Sequence, residues 1–186
     1  MKLIRERCCC FTGHRVLSQG ERDALEPLLE QEILGLERQG VDTFLAGGAL
    51  GFDTLAARCV LRLREENPWL HLVLVLPCLD QDRMWRAEDI ALYREMMKQA
   101  DEVIYTDDLY SREAMLRRNR YLVERSSVCL CYLRQTRRGG TAYTVGVARS
   151  AGVEVINLAE RFDVAGAFGQ DSLFAQPRPD PEFGED

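Results

Sequence analysis

Three glycine-bearing junctions between strand-like and helix-like segments constrain this chain more than any other feature. The first covers residues 9–15, the second covers residues 44–53, and the third joins residues 129–132 to residues 139–141. Each junction follows an apolar run of strand length and precedes a helical pattern. In an open parallel sheet, such junctions lie at the carboxyl edge of the strands, where ligands bind. The sequence therefore predicts a ligand site at that edge.

The chemistry of these junctions favours a phosphorylated ligand. A helix N-terminus offers unpaired N–H groups and a partial positive charge, which suit phosphate. Glycine lacks the Cβ atom that would hold the backbone away from a ligand. We therefore expect the chain to bind a nucleotide or a nucleotide-derived phosphorylated ligand, and we expect Gly48→Val to weaken ligand binding more than the fold.

The alternation of segments predicts a single α/β domain. Apolar runs of strand length cover residues 7–12, 41–46, 70–76, 103–105, 128–132 and 153–158, and helical patterns cover residues 19–39, 52–66, 84–99, 113–125 and 141–150. This order is typical of parallel βαβ units with right-handed crossovers. We expect Gly40 to end the first helix as a left-handed cap. Residues 1–160 are the predicted domain, and the Pro-rich, acidic residues 161–186 are predicted to form a flexible tail.

The charge and the cysteines exclude several classes of protein. The 186 residues carry a net charge of −6, which disfavours a nucleic-acid partner. The arginine-rich segments 117–120 and 134–138 are local basic clusters, and the first is interpreted as solvated helix charge rather than a nucleic-acid surface. The seven cysteines lack Cys-x-x-Cys spacing, so we interpret them as small buried hydrophobic residues of a protein in the reducing cytoplasm, with no metal site. No signal peptide or membrane span is expected.

The loop after the second predicted strand carries the strongest site signal. Residues 47–53, with the sequence GGALGFD, hold three glycines in five positions but lack the Gly-Lys-Ser/Thr of a Walker phosphate loop. A tight turn that needs several positive φ angles is the structural alternative. Asp53 is interpreted either as a cap of the following helix or as a contact to a ribose hydroxyl or another ligand group. The candidates from this loop are Gly47, Gly48, Ala49, Gly51 and Asp53.

The other two junctions add polar candidates. After the first strand these are Thr12, Gly13, His14 and Arg15, and near the third junction they are Gly139, Gly140, Thr141 and Thr144. Arg15 has a planar fork that can clamp phosphate, although it could instead pair with Glu21 or Asp23. His14 titrates near neutrality and is either an acid–base catalyst or a structural hydrogen-bonding residue. Thr141 is interpreted as a helix cap, as a phosphate donor, or as both.

Two further sets of residues carry weaker signals. Arg118 and Asn119 belong to a predicted helix and either face the cleft or lie on the surface. Gln81, Arg83 and Trp85 follow the third strand. Trp85 is interpreted as a core residue, with stacking on a base as the alternative.

Together these motifs resemble the SLOG superfamily, and within it the YpsA-like branch. The resemblance covers residues 8–158 and rests on segments 11–15, 47–53 and 118–123, on Pro77, and on residues 139–141 with Thr144. It implies a Rossmann-like, three-layer α/β/α fold with a mostly parallel central sheet, and binding of nucleotides or nucleotide-derived ligands. The activity of that family is poorly defined, so the resemblance constrains the fold more than the function.

Two related branches suggest more specific functions, but this sequence departs from the motifs of both. LOG-type phosphoribohydrolases carry a Gly-Gly-x-Gly-Thr loop followed by a catalytic glutamate, whereas this chain lacks the inner glycine and has Tyr143 and Thr144 where an acid would be needed. DprA proteins have a similar glycine loop and helix start, which residues 51–53 resemble. A DprA-like single-strand site would need a basic groove with stacking aromatics, and the net acidity disfavours it.

Three hypotheses of different classes remain open at this point. The first is a cytoplasmic sensor or adaptor that binds a nucleotide-like small molecule across the three loops. The second is a hydrolase or transferase that acts on a glycosidic or phosphate linkage of a nucleotide, with His14, Arg15 and Asp53 as the catalytic candidates. The third is a single-stranded nucleic-acid-binding module that uses the helix containing Arg118. The sequence leaves open whether the protein is a homo-oligomer.

Overall fold

The computed structural model describes residues 2–134 and 138–161 of the chain, in which strands and helices alternate. The strands are β1 (Cys8–Gly13), β2 (Thr43–Ala46), β3 (His71–Leu76), β4 (Glu102–Tyr105), β5 (Val128–Tyr132) and β6 (Glu154–Asn157). The helices are α1 (Gln19–Glu37), α2 (Phe52–Leu63), α3 (Ala87–Gln99), α4 (Arg112–Glu124) and α5 (Gly140–Ser150), with short 3₁₀ turns at Arg5–Arg7 and Leu158–Arg161.

The six strands form one parallel sheet in the order β4-β3-β2-β1-β5-β6. Cys10 of β1 lies beside Leu45 of β2 on one side and beside Cys129 of β5 on the other. The chain first builds the sheet outward from β1 in one direction and then crosses over to β5. The strand order therefore reverses between β1 and β5, and this is the position where α/β sheets bind ligands.

Helices cover both faces of the sheet, which confirms the predicted Rossmann-like, three-layer α/β/α architecture. Helices α1, α2 and α3 bury one set of strand side chains, which includes Phe11, Phe44 and Leu74. Helices α4 and α5 bury the alternate set, which includes Cys10 and Val75. Strands covered on both faces must be apolar throughout, and this explains the continuous apolar runs in the sequence.

Most predicted element boundaries hold to within one to three residues. Gly40 has a φ of +94° after the end of α1, as expected for a left-handed cap. Strand β1 extends through Gly13, so this glycine lies inside the strand rather than after it. Helix α3 begins at Ala87, three residues later than the pattern indicated. Of the predicted tail, residues 162–186 lie outside the described residues.

The cysteines are buried free thiols, as interpreted from the sequence. Burial raises the pKa of the Cys9 thiol well above its ordinary value, so this side chain behaves as a small apolar group. In the described part of the chain, no helix combines the length and the apolar character that a bilayer span requires.

Candidate functional site

A small pocket opens at the carboxyl edge of the sheet, at the point where the strand order reverses. The residues that line it come from β1, the loop after β2, and helices α2, α4 and α5: Phe11, Thr12, Gly13, Arg15, Ala49, Asp53, Arg118, Asn119, Leu122, Gly140 and Thr141. All three glycine-bearing junctions thus contribute to one pocket. Its cavity of about 40 Å³ has room for a few waters or for one small polar group, so most of a nucleotide would lie outside it.

Two helices begin at this pocket with glycine as the N-cap residue. Gly51 precedes α2 with a φ of +78°, and Gly139 precedes α5 with a φ of +103°. Among the described residues, no side chain caps either helix. In contrast, Ser18 and Ser111 cap α1 and α4 through their hydroxyl groups. Neither N-terminus is capped by a side chain, although the Phe52 N–H at the start of α2 donates a hydrogen bond to the His14 carbonyl. Both helices place the partial positive charge of their N-terminus at the pocket.

This capping pattern corrects two interpretations made from the sequence. Asp53 does not cap α2, because its Oδ2 accepts a hydrogen bond from the Gly47 N–H at 3.1 Å, upstream of the helix. Thr141 does not cap α5, because the N-cap residue is Gly139 and no side chain forms a capping hydrogen bond at this helix start in the described part of the chain. Both side chains are buried and line the pocket.

Asp53 and Arg118 form a buried ion pair at the base of the pocket. The distance from Arg118 Nη1 to Asp53 Oδ2 is 3.7 Å, and both side chains are less than a tenth exposed. Burial raises the pKa of Asp53 to about 6, against the opposing effects of the Arg118 charge, the Ala49 N–H, the Arg15 charge and the Gly47 N–H. A carboxyl group with a raised pKa in a pocket is a candidate functional group, which makes Asp53 the candidate of this pocket.

Gly47 provides the space that the Arg118 guanidinium occupies. A Cβ atom at residue 47 would lie 1.4 Å from Arg118 Nη1 and 2.8 Å from Asp53 Oδ2. Arg118 and Asn119 are both buried, although they belong to a helix rich in exposed arginines. Of the two interpretations of these residues, the cleft-facing one is the arrangement found.

Three other loop glycines, Gly13, Gly48 and Gly51, lie where a Cβ atom would clash with neighbouring parts of the protein. A Cβ atom at Gly13 would lie 2.3 Å from the Phe52 ring, and one at Gly51 would lie 2.3 Å from the Arg15 carbonyl oxygen. A Cβ atom at Gly48, where φ is +64°, would lie 2.7 Å from Leu76 Cδ2. Gly48→Val should therefore also strain the fold, and the expectation that it weakens ligand binding more than the fold stays a prediction.

His14 lies beside the pocket rather than among its lining residues. Its Nε2 accepts a hydrogen bond from the Arg134 N–H at 3.1 Å, which places the ring proton on Nδ1 in the neutral form. Its ring packs edge-to-face on Tyr132, with the centroids 6.0 Å apart. This geometry favours the structural role that was weighed against catalysis.

Arg15 lines the pocket, and its charge lowers the pKa of Asp53. The two carboxylates that the sequence offered as alternative partners of Arg15 make other contacts. Asp23 accepts a hydrogen bond from Gln19 Nε2 at 2.7 Å, and Glu21 contacts three other residues. Its Oε1 accepts a hydrogen bond from the Tyr132 hydroxyl at 2.7 Å and lies 3.1 Å from Arg134 Nη1. Its Oε2 accepts a hydrogen bond from the Ser18 N–H within the α1 capping box.

Some predicted site residues support the pocket from outside it. Thr144 is buried and donates a hydrogen bond to the Gly140 carbonyl at 2.9 Å. Gln81 is buried and donates hydrogen bonds from Nε2 to the Gly48 carbonyl and to the Tyr93 hydroxyl. Trp85 packs edge-to-face on Tyr93, which agrees with the core interpretation.

Two supporting contacts were missed by sequence reasoning. The Tyr132–Glu21 hydrogen bond joins the end of β5 to the start of α1. Asn157 accepts a hydrogen bond from the Leu133 N–H and donates one to the Leu133 carbonyl, which positions the chain after β5. The capping box of α1 was the one available signal for Glu21, and the sequence around Asn157 carries no such signal.

Comparison with known proteins places the chain in a family. Residues 17–155 match the YspA SLOG family, and the chain belongs to it. This agrees with the resemblance inferred from the glycine loops.

Two relatives illustrate the range of similarity. A UPF0398 protein of Halalkalibacterium halodurans is 32% identical over 127 residues, which are 67% of each chain. The SPbeta prophage-derived protein YoqJ of Bacillus subtilis is 29% identical over 117 residues, which cover 56% of this chain and 67% of YoqJ.

Solved structures of low sequence identity share the fold. DNA processing protein A (DprA) from Streptococcus pneumoniae superposes with a TM-score of 0.59 and 17% identity, over 81% of this chain and 49% of that chain. DprA from Helicobacter pylori, a protein with a single-stranded DNA binding mode, superposes with a TM-score of 0.57 and 17% identity. The superposition covers 81% of this chain and 64% of that chain. This chain thus spans about half to two thirds of those proteins, and the likeness concerns the fold alone.

Proposed function

We propose that the protein binds a nucleotide or a nucleotide-derived ligand through a phosphate group, as a sensor or adaptor. The phosphate occupies the pocket, and the nucleoside part lies across its rim. The observation that carries the proposal is the convergence of two glycine-capped helix N-termini, those of α2 and α5, on one pocket with Arg15 and Arg118.

The charges around the pocket support this assignment. Arg15 and Arg118 contribute two positive charges, and an ionised Asp53 removes one. Each helix N-terminus adds about half a positive charge. The total of about two positive charges matches a phosphate dianion. The small volume of the cavity also suits a phosphate better than a base or a sugar.

Titration calorimetry with matched probes tests the proposal. Inorganic phosphate and adenosine 5′-monophosphate should bind, whereas adenosine should not, because the site depends on the phosphate. Arg15→Ala should weaken binding of the monophosphate by about ten- to a hundredfold, since a charged hydrogen bond contributes about 1.5–3 kcal/mol. Arg15→Lys should recover only part of the loss, because an ammonium group cannot present the same fork.

Arg58→Ala is the control, because Arg58 is an exposed residue of α2 and does not line the pocket. Equal affinities of Arg15→Ala and the wild type would remove Arg15 from the site. Adenosine and the monophosphate binding equally would contradict the phosphate assignment. Native mass spectrometry of the purified protein would show which nucleotide, if any, copurifies.

The pKa of Asp53 favours a second candidate, a hydrolase or transferase that acts on the glycosidic or phosphate linkage of the same ligand. A carboxyl group with a pKa of about 6 can act as an acid or a base at neutral pH. In that case Asp53→Asn would retain ligand binding and lose turnover. Retention of the bound nucleotide intact over many hours with the wild-type protein would favour the sensor.

Single-stranded nucleic acid is the third candidate, since the fold is shared with DprA. The net charge of −6 counts against it, as does the small pocket. Fluorescence anisotropy with a labelled thymidine oligonucleotide separates the two ligand types. Oligonucleotide binding with a steep salt dependence, together with no binding of the monophosphate, would favour nucleic acid.

A further inference from the structure

The outer face of α5 carries an open groove that the pocket does not use. It is lined by Ala142, Tyr143, Gly146, Val147, Ser150 and Ala151. The groove is present because most of the side chains along it are small, and a Cβ atom at Gly146 would meet nothing within 4 Å among the described residues. The groove is therefore a mostly apolar surface that can receive large apolar side chains from another segment.

Two arginines, Arg120 and Arg149, lie close to this groove. Helix α5 contains no acidic residue, and its Arg149 is exposed. Arg120 of α4 donates a hydrogen bond from Nε to the Tyr143 hydroxyl at 2.9 Å, which places a second guanidinium at the groove. A segment that fits here should combine bulky apolar side chains with carboxylates.

Residues 162–186 of this chain have that composition. They contain six acidic residues and one arginine, and therefore carry most of the net charge of −6. They also contain four of the seven phenylalanines of the protein, Phe162, Phe168, Phe174 and Phe183. Segments that stay fully solvated usually have few aromatic residues, so this aromatic content indicates a surface for the segment to bind.

The segment also starts close enough to reach the groove. The described chain ends at Arg161, one 3₁₀ turn after β6, and β6 is the edge strand of the sheet. Helix α5 packs on β5 and β6. Arg161 pairs with Glu32 of α1 on the opposite face, so the segment must pass around the β6 edge. That path is about 20 Å for two layers, and 25 extended residues span up to about 80 Å.

We propose that residues 162–186 dock on the α5 groove of their own chain. Phenylalanine side chains lie against Ala142, Gly146 and Val147, and the carboxylates face Arg120 and Arg149. Because α5 begins at the pocket with Gly140 and Thr141, the docked segment lies on the same helix that lines the ligand site.

Hydrogen exchange of the full-length protein, measured by mass spectrometry, tests the contact. Amides of residues 162–186 should exchange at least about tenfold more slowly in the protein than in a synthetic peptide of the same sequence. Gly146→Glu places a bulky acid in the groove and should return exchange to the peptide rate. Arg149→Glu removes one charge contact and should reduce the protection in part.

Gly35→Glu is the matched control, because Gly35 is also a helical glycine, on α1, and a Cβ atom there would meet only Arg38 Nη2, at 3.9 Å. It should leave the protection unchanged. Peptide-like exchange in the wild type would overturn the proposal, as would equal protection in the wild type and Gly146→Glu. Protection that disappears on dilution would mean that the segment of a second copy occupies the groove, and it would overturn docking within one chain.

Discussion

Asp53→Asn offers the sharpest test of the electrostatics of the pocket. The substitution keeps the size of the side chain and an oxygen that can accept the Gly47 N–H, but it removes the titrating group. Burial raises the pKa of Asp53 from 3.8 to about 6 despite the nearby Arg118 and Arg15 charges. The folded protein therefore holds this proton more tightly than the unfolded chain does.

The sign and the size of the effect follow from that shift. Between about pH 4 and pH 6 the folded state binds more protons at this site than the unfolded state, so the stability contributed by Asp53 falls as the pH rises. A shift of about two pKa units corresponds to about 3 kcal/mol. The free energy of unfolding of the wild type, relative to Asp53→Asn, should therefore fall by about 3 kcal/mol between pH 3 and pH 7 and stay nearly constant above that range.

Urea denaturation of both proteins from pH 3 to pH 8 measures this difference. Asp101→Asn is the control, because its effect on the pH dependence of stability should have the opposite sign. Burial of Asp101 acts to raise its pKa, but the Leu72 N–H, His71 and the Arg64 charge together hold the pKa below its ordinary value. The stability contributed by Asp101 should therefore be present above about pH 4 and be lost as the pH falls further.

A wild-type advantage over Asp53→Asn that grows as the pH rises would refute the reasoning. It would mean that the attraction of Arg118 outweighs the cost of burying the carboxylate. A difference that does not change with pH would mean that Asp53 titrates near its ordinary pKa in the folded protein.

Three further substitutions separate the ligand site from the packing around it. Gly47→Ala should displace the Arg118 guanidinium, because the new Cβ atom would lie 1.4 Å from Nη1; calorimetry should show at least about tenfold weaker binding of adenosine 5′-monophosphate, and unchanged affinity would count against a role for Arg118. Gly13→Ala should instead cost about 1–3 kcal/mol of stability, because the Phe52 ring is in the way; a thermal midpoint equal to that of the wild type would contradict this. Tyr132→Phe removes a hydrogen bond to the Glu21 carboxylate and should cost about 1.5–3 kcal/mol in urea denaturation, whereas a loss below about 0.5 kcal/mol would show that Arg134 compensates.

The order and type of the strands and helices could be predicted from sequence because burial on both faces leaves a clear pattern. Strand β5 (Val128–Tyr132) matches its apolar run residue for residue. Helix α3 was placed less well, because residues 84–86 continue its helical pattern while their backbone passes from a turn through a bend to an extended N-cap residue, Arg86. Local periodicity cannot distinguish a helix from the turns that lead into it.

The position of the pocket could be predicted from the sequence, but the contacts of its individual residues could not. Glycine loops at the ends of β1, β2 and β5 identify the carboxyl edge of the sheet, and the pocket lies at that edge. The sequence cannot show which atom fills the space that each glycine leaves, because that atom comes from a distant segment. Gly47 faces Arg118 of α4, whereas Gly13 faces Phe52 of α2. The burial of Arg118 among exposed arginines depends on the same tertiary contacts.

Because of these contacts, the positions of the two pocket arginines, Arg15 and Arg118, depend on the packing of the glycine loop and of α2. Gly51 lies against the backbone of His14 and Arg15, and the Phe52 N–H donates a hydrogen bond to the His14 carbonyl. The start of α2 therefore fixes the backbone from which the Arg15 side chain extends toward the pocket. The same helix carries Asp53, which pairs with Arg118. A shift of α2 would thus move both arginines of the pocket together, so the geometry that we propose recognises a phosphate depends on the way α2 packs on β1.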